Sequence, residues 1–340
     1  MIRVTAARPR AASLRVPPTV RIVVLYALTL FLIVTVIFAL PRLMPGDPIQ
    51  SREDPSNPLF IQDIQSRSEV LAYYGLDKPV VTQYFTYVGN ILHGNLGWSI
   101  AANQPVSSMI LQHLPWTALL MGTSIAAASL IAYLAGVAAA WRRGRLGDRT
   151  LIVATTVARS VPEYALASVL LIFFAVVFPV FPLYGGSTPF ATYSGFSDHA
   201  ADIATHLALP ALSLTIGLIG VKFLLMRNTM VTVLGEDYMV LARAKGLSNN
   251  RLKYRHAGRN ALLPFLTLIG IQLGFAVGGA VFIESVFAYP GMGTLILTAV
   301  NNRDYPVLEG CFLTFATAVL LMNLLIELVY RRLDPRVHAQ

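Results

Sequence analysis

Charge is scarce in this chain, and cysteine is nearly absent. Of its 340 residues only 13% are Asp, Glu, Lys or Arg, while 55% are hydrophobic. A soluble protein carries about a quarter of its residues charged. The one cysteine, Cys311, lies inside an apolar run, which excludes a disulfide framework and a cysteine metal site. The dipeptide Gly-Lys never occurs, so there is no G-x-x-x-x-G-K-[ST] loop to cradle a nucleotide's phosphates. H-E-x-x-H and G-x-S-x-G are also missing, which argues against a metalloprotease and a hydrolase elbow. Internal repeats and low-complexity tracts are absent.

Long apolar runs are what the chain has instead. Runs of eighteen or more residues suffice to cross a bilayer as helix. They predict an all-α polytopic membrane protein with six transmembrane helices, near Val20–Leu40, Trp116–Ala140, Leu151–Val176, Ile203–Met226, Leu262–Ser285 and Val307–Tyr330. The first run is too long for the apolar core of a secretory signal and reads as an uncleaved anchor. Lys and Arg set the orientation. Twenty of the twenty-six fall on one side: in the tail of residues 1–19 and just beyond it, between spans two and three, from Lys222 to Arg259, and after Tyr330. Both termini are therefore expected in the cytoplasm. The same pattern explains the net charge of +9, so no nucleic-acid partner is needed. Outside, a segment over 41–115 and a turn-rich segment over 178–202 are expected.

Four places carry candidate chemistry. Asp198, His199, Asp202 and His206 are metal-ligand types, three of them at helical spacing; the competing reading is that the aspartates favour the N-terminus of the fourth helix. The stretch LARAKGLSNNRLKYRHAGRNALLP, from Leu241 to Pro264, has six basic residues and no acidic one. It can be a topology signal that meets lipid headgroups. It can also be a folded docking element: a helix ending at Lys245, Gly246 at the left-handed position after it, and Ser248 capping the next helix. In the third span, at 1.5 Å per residue, Arg159 lies about 12 Å and Glu163 about 18 Å from Leu151, so Glu163 reaches the middle of a roughly 30 Å core. Ionisable groups at that depth usually face a polar cavity or a partner, and Pro162 between them frees a backbone carbonyl. The pair is expected to line a translocation cavity or to join helices as an ion pair. Glu284, Tyr289 and Arg303 flank the fifth and sixth spans on the outside, as outer-gate residues or as braces of a turn-rich loop.

Ala242–Arg243–Ala244–Lys245–Gly246–Leu247, followed by Arg255–His256 and Arg259–Asn260–Ala261–Leu262–Leu263–Pro264, resembles the EAA loop of ABC importer permeases. The branch it is most similar to is the oligopeptide/dipeptide/nickel permease family, first-permease type. Pro45–Gly46–Asp47–Pro48, Gly75–Leu76–Asp77–Lys78–Pro79, Gly94–Asn95–Leu96–Gly97, Phe287–Ala288–Tyr289–Pro290–Gly291–Met292–Gly293 and Leu333–Asp334–Pro335–Arg336 match in order. Two places depart: Val240–Leu241–Ala242 stands where the general pattern has Glu–Ala–Ala, and Gly258 where the branch has a larger apolar residue. The resemblance implies a type I importer transmembrane domain over 20–340, with a coupling loop over 236–260. It implies that Ala242 to Leu247 and Arg251 dock ATPase subunits. It implies a homologous second permease, two ATPases and an extracytoplasmic substrate-binding protein as partners, in a bacterial or archaeal cytoplasmic membrane. ATP and Mg would be bound by the ATPases, with no cofactor in this chain. A secondary transporter, the alternative class, would need intramembrane proton or sodium ligands.

Overall fold

A computed structural model describes residues 18–43, 64–276 and 280–333. The N-terminal tail up to Pro17, the Pro45–Pro48 motif, Arg52, Asn57 and the tail from Asp334 lie outside the described residues. Those described form helices and no strand, with one isolated bridge between Trp98 and Pro105.

The helices are α1 (Pro18–Leu43), α2 (Ile64–Tyr73), α3 (Val80–Leu92), α4 (Val106–Trp141), α5 (Leu146–Ser160), α6 (Glu163–Leu171), α7 (Phe196–Leu234), α8 (Asp237–Ala244), α9 (Arg259–Ala276), α10 (Val281–Val286), α11 (Met292–Asn301) and α12 (Tyr305–Leu333). A π-helical stretch, Ile172–Val177, continues α6, and another, Arg251–Gly258, leads into α9. Five helices are long and apolar enough to cross a membrane. The third expected span, Leu151–Val176, is not one rod. It is α5 and α6, bent by 92° at Val161–Pro162. Pro162 cannot donate a helical hydrogen bond, and it pushes the residue before it out of helical geometry; Val161 accordingly has ψ 128°. The fifth span also differs from expectation. Its helix stops at Ala276, and Glu284 and Ser285 belong to the separate α10.

Helices α4 and α7 form the central pair. Gly136 allows this: a Cβ there would meet the Met226 side chain at 2.9 Å, so the backbones approach closely, as small residues permit in membrane helices. Toward one end, Phe223, Met226, Met230 and Phe265 pack with Val137 and with Met239 of α8. This end also carries Arg142, Arg143, Arg145 and the α8–α9 connection, and is called the basic end below. Toward the opposite end, Val106 and Ile110 of α4 pack with Met292, Leu308 and Cys311. There α2, α3, α10, α11 and the 178–195 connection gather. Lys222, which sequence reading placed among the charges of the cytoplasmic side, is fully buried inside α7, its Nζ 3.2 Å from the Ile125 carbonyl of α4.

Candidate functional site

At the basic end the chain builds a helix, a bend and a second helix. Helix α8 buries Met239 and Ala242 against the bundle, which fixes its orientation. Its other face is open: Arg243, Ala244, Lys245 and Gly246 are exposed. Gly246 has φ +71°, a conformation that non-glycine residues adopt at a cost of roughly 1–2 kcal/mol, and its N–H donates to the Arg243 carbonyl at 2.9 Å. Leu247 is half-buried and Arg251 exposed. Of the expected docking residues, Ala242 is buried in the core and Leu247 packs partly against it. Ser248 precedes the next helix and its carbonyl accepts the helical bond from the Leu252 N–H at 3.0 Å, but the side-chain cap expected of it does not form.

Beside the bend stand two residues that the sequence reading recorded only as departures from a pattern. Val240 is 62% exposed and Leu241 58%, apolar side chains on a polar, basic surface. Exposed apolar groups rimmed by polar ones mark an interaction surface. The other departure has a packing reason. A Cβ on Gly258 would stand 3.0 Å from the Tyr133 hydroxyl and 3.0 Å from the Lys253 carbonyl, because the wide π-helical turn brings the backbone onto α4. Stretches of this kind are frequent at functional sites. Behind it, Asp148 takes Arg227 Nε at 2.8 Å and Nη2 at 2.7 Å, with the Gly144 N–H at 2.9 Å. That two-pronged pair ties the start of α5 to α7.

The break between α5 and α6 lies against two glycines of α7. A Cβ on Gly217 would collide with the Glu163 carboxyl at 2.8 Å, and one on Gly220 would meet Arg159 Cβ at 3.3 Å. Arg159 and Glu163 are both exposed and do not pair with each other. The bend invalidates the straight-helix depth of about 18 Å for Glu163. Irregular backbone inside a membrane is tolerated only when covered by protein or facing a water-filled cavity, and here the uncovered group also carries charge.

The opposite end is tied by buried carboxylates. Glu284 is fully buried and accepts from Thr117 Oγ1 at 2.8 Å, Gly293 N–H at 2.6 Å and Thr294 N–H at 3.1 Å. It thereby caps α11, whose first amides have no partner inside the helix. Tyr289 is also fully buried, edge-on to Trp116 with ring centroids 5.7 Å apart. Arg303 is half-buried with φ +53°. Its neighbour Asp304 does the fastening: its carboxylate accepts from Ser99 Oγ and from the Ile100 and Ala101 N–H groups at 3.1 Å each. Burial pushes the Asp304 pKa up, against the pull of those donors. Asp202 accepts from Thr188 and Tyr193, and Asp198 from Ser194. Among the described residues no metal-binding cluster forms.

Among the described residues, five apolar helices, a sixth span broken beside glycines and an exposed bend at the basic end define a multi-pass membrane protein. The chain belongs to the family described as binding-protein-dependent transport system inner membrane component, whose pattern covers residues 132–339. It is a permease subunit of an ABC importer with the type I importer fold, a multi-pass protein of the bacterial inner membrane. It is 39% identical over 303 residues to a Brucella ovis protein whose name assigns it provisionally to peptide permeation, covering 88% of this chain and 92% of that one. The di/tripeptide transport system permease protein DppB of Pseudomonas aeruginosa is 35% identical over 330 residues, 92% and 96% of the two chains. The glutathione transport system permease protein GsiC of Salmonella choleraesuis is 33% identical over 309 residues, 91% and 94%. The family is a transport component, and such importers include in general an ATPase, a partner permease and a binding protein.

Proposed function

We propose that this subunit moves short peptides or similar small polar solutes into the cytoplasm by alternating access, as one half of a pathway shared with a homologous second permease. The basic end faces the cytoplasm, by the distribution of Lys and Arg. Two ATPase subunits, which bind ATP and Mg, dock there; an extracytoplasmic binding protein delivers cargo at the opposite end. The observation that carries this reading is the bend at Gly246. An exposed left-handed turn, with Arg243 and Lys245 on one side and Val240 and Leu241 on the other, offers a partner charge contacts and apolar anchors together. The relatives named for peptide, di/tripeptide and glutathione transport support the cargo class.

Arg159 and Glu163 line the cavity between the two permeases and bias it toward polar or charged cargo. Exposed charge beside a broken span is costly against lipid and favourable against water or a polar solute. The test is uptake of labelled di- and tripeptides by the reconstituted system, with Arg159→Met/Glu163→Gln beside the parent. Peptide uptake that needs ATP and the partners, with altered cargo preference in the variant, supports both statements. Uptake driven by a proton or sodium gradient without ATPases would establish the secondary-transporter alternative. Unchanged preference and rate in the double variant would remove the pair from the pathway.

A further inference from the structure

The end of the bundle away from the basic surface holds a cavity of about 270 Å³. Helix α3 and the loop after it form one wall, and the start of α12 forms the other. Its floor is the ion pair of Arg42 and Glu309, 2.5 Å apart. Every guanidinium nitrogen of Arg42 donates. Nη1 also donates to the Phe38 carbonyl at 2.7 Å, and Nε and Nη2 donate to Gln83 Oε1 at 3.2 and 3.1 Å. The floor charges therefore compensate each other, and Lys78 at the rim leaves the cavity with a surplus positive charge.

The polar groups still uncommitted decide what fits. Lys78 makes no ion pair among the described residues, and Asn90 offers its side-chain amide. Asn95 uses its carbonyl on the Gly97 N–H at 2.9 Å, which leaves its NH₂ to donate. Glu309 spends only Oε1 on Arg42; its other oxygen makes no bond to the described residues. Tyr87 brings a buried hydroxyl without a partner. Donors thus gather on the Lys78 side and a free acceptor sits on the floor, between aromatic walls that include Trp98 and Tyr305. Donors with positive charge suit a carboxylate; a carboxylate oxygen among aromatic faces suits an ammonium.

We propose that this cavity is a binding site for a small zwitterion, the size of an amino acid or a dipeptide, with its carboxylate toward Lys78 and its ammonium toward Glu309. The volume is below the usual range for drug-sized ligands, about 300–1,000 Å³, which suits a small solute. The site rests on the transport reading only for why such a solute arrives there.

The test uses the permease–ATPase complex in nanodiscs without the binding protein. Glycyl-phenylalanine, its C-terminal amide and its N-acetyl form are titrated by calorimetry. Saturable binding of the free dipeptide is expected, with each blocked form about tenfold weaker, the worth of one charge-assisted contact. Lys78→Met, a change at the exposed rim, should weaken the free dipeptide about tenfold and abolish discrimination against the amide. Glu309→Gln should abolish discrimination against the N-acetyl form. No saturable binding to the parent complex, or full affinity in Lys78→Met, would overturn the site. Uptake by the complete system, measured in parallel, separates the two readings. Transport without cavity binding refutes this site alone, and cavity binding without transport refutes the cargo assignment while leaving the site.

Discussion

Glu284 offers the sharpest test of how the outer end is held. Replacing it with Ala removes the acceptor shared by Thr117 Oγ1 and the N–H groups of Gly293 and Thr294. Two backbone amides would then be buried without partners, at about 1–3 kcal/mol each. Relief of the carboxylate's own burial offsets part of this, so a net loss of about 3 kcal/mol is expected. Water cannot readily repair the gap, because the side chain is fully buried and Gly291 and Gly293 press directly on it. Glu284→Gln keeps the volume and a carbonyl oxygen for the two amides, and it can turn its NH₂ toward Thr117. It should cost only about 1 kcal/mol. Hydrogen exchange read by mass spectrometry over residues 290–296 reports the cap directly, since local opening sets the rate. The Ala variant should exchange on the order of a hundredfold faster there, from about 3 kcal/mol, while α7 stays protected. Unchanged exchange in Glu284→Ala would refute the cap. Lost transport in Glu284→Gln with normal exchange would instead assign Glu284 to an outer gate.

Gly246→Val meets no atom of this chain within 4 Å but strains the left-handed turn by about 1–2 kcal/mol, so the variant should still insert while the turn is distorted and a docked ATPase loses its approach; substrate-stimulated ATP hydrolysis should fall at least tenfold, and normal stimulation would contradict docking there. Asp148→Asn should lower stability by about 3 kcal/mol, because it strips the partner from Arg227 in a pair whose carboxylate is 1% exposed. Adding Arg227→Met should restore most of that, and thermal unfolding of the four combinations measures the coupling. Cysteines placed at Arg145 and Arg251 should label from the cytoplasm and one at Ser187 from outside; Cys311 stays silent because it is buried. Outside labelling at position 251 would invert the orientation.

Much of this was legible in the sequence because the bilayer allows few solutions. With the backbone forced to satisfy itself, apolar length alone marks helices, and four of the six expected spans lie within single long helices, with most of a fifth in α9. The bend at Gly246 was legible for an equally local reason, since a left-handed residue after a helix is a property of glycine. The 92° break was not. Pro162 marks a disturbance, but whether a proline kinks a helix or ends it depends on what receives the freed ends. Here the answer lies in Gly217 and Gly220, more than fifty residues later, which leave room for Glu163 and Arg159. For Glu284 the sequence left gate and brace open for a similar reason. A carboxylate at the edge of an apolar run looks like a surface group until the amides of α11 fold over it.

Helix α7 joins the two candidate regions, and its contacts suggest where motion is absorbed. Its 39 residues, with Pro210 among them, span about 58 Å at 1.5 Å per residue, so one continuous helical rod reaches from the α8 end to the opposite end. Asp148 and Arg227 fasten α5 to that rod at the basic end, while α4 is held to it by the close approach at Gly136. Helices α4, α5 and α7 are therefore fastened together at the basic end. Helix α6 does not share that fastening: beyond Val161–Pro162 it packs against α10 as well as α7, and α10 is bound to α11 through Glu284. The break is thus a joint between α5, tied into the basic end, and α6, packed among helices that Glu284 also ties to α4 through Thr117. Hinges are commonly a few residues at the ends of rigid elements. Arg159 and Glu163 stand on either side of this one, so a swing at Pro162 would change their separation and, under the proposed function, would couple the charge presented to the pathway to the state of the ATPases.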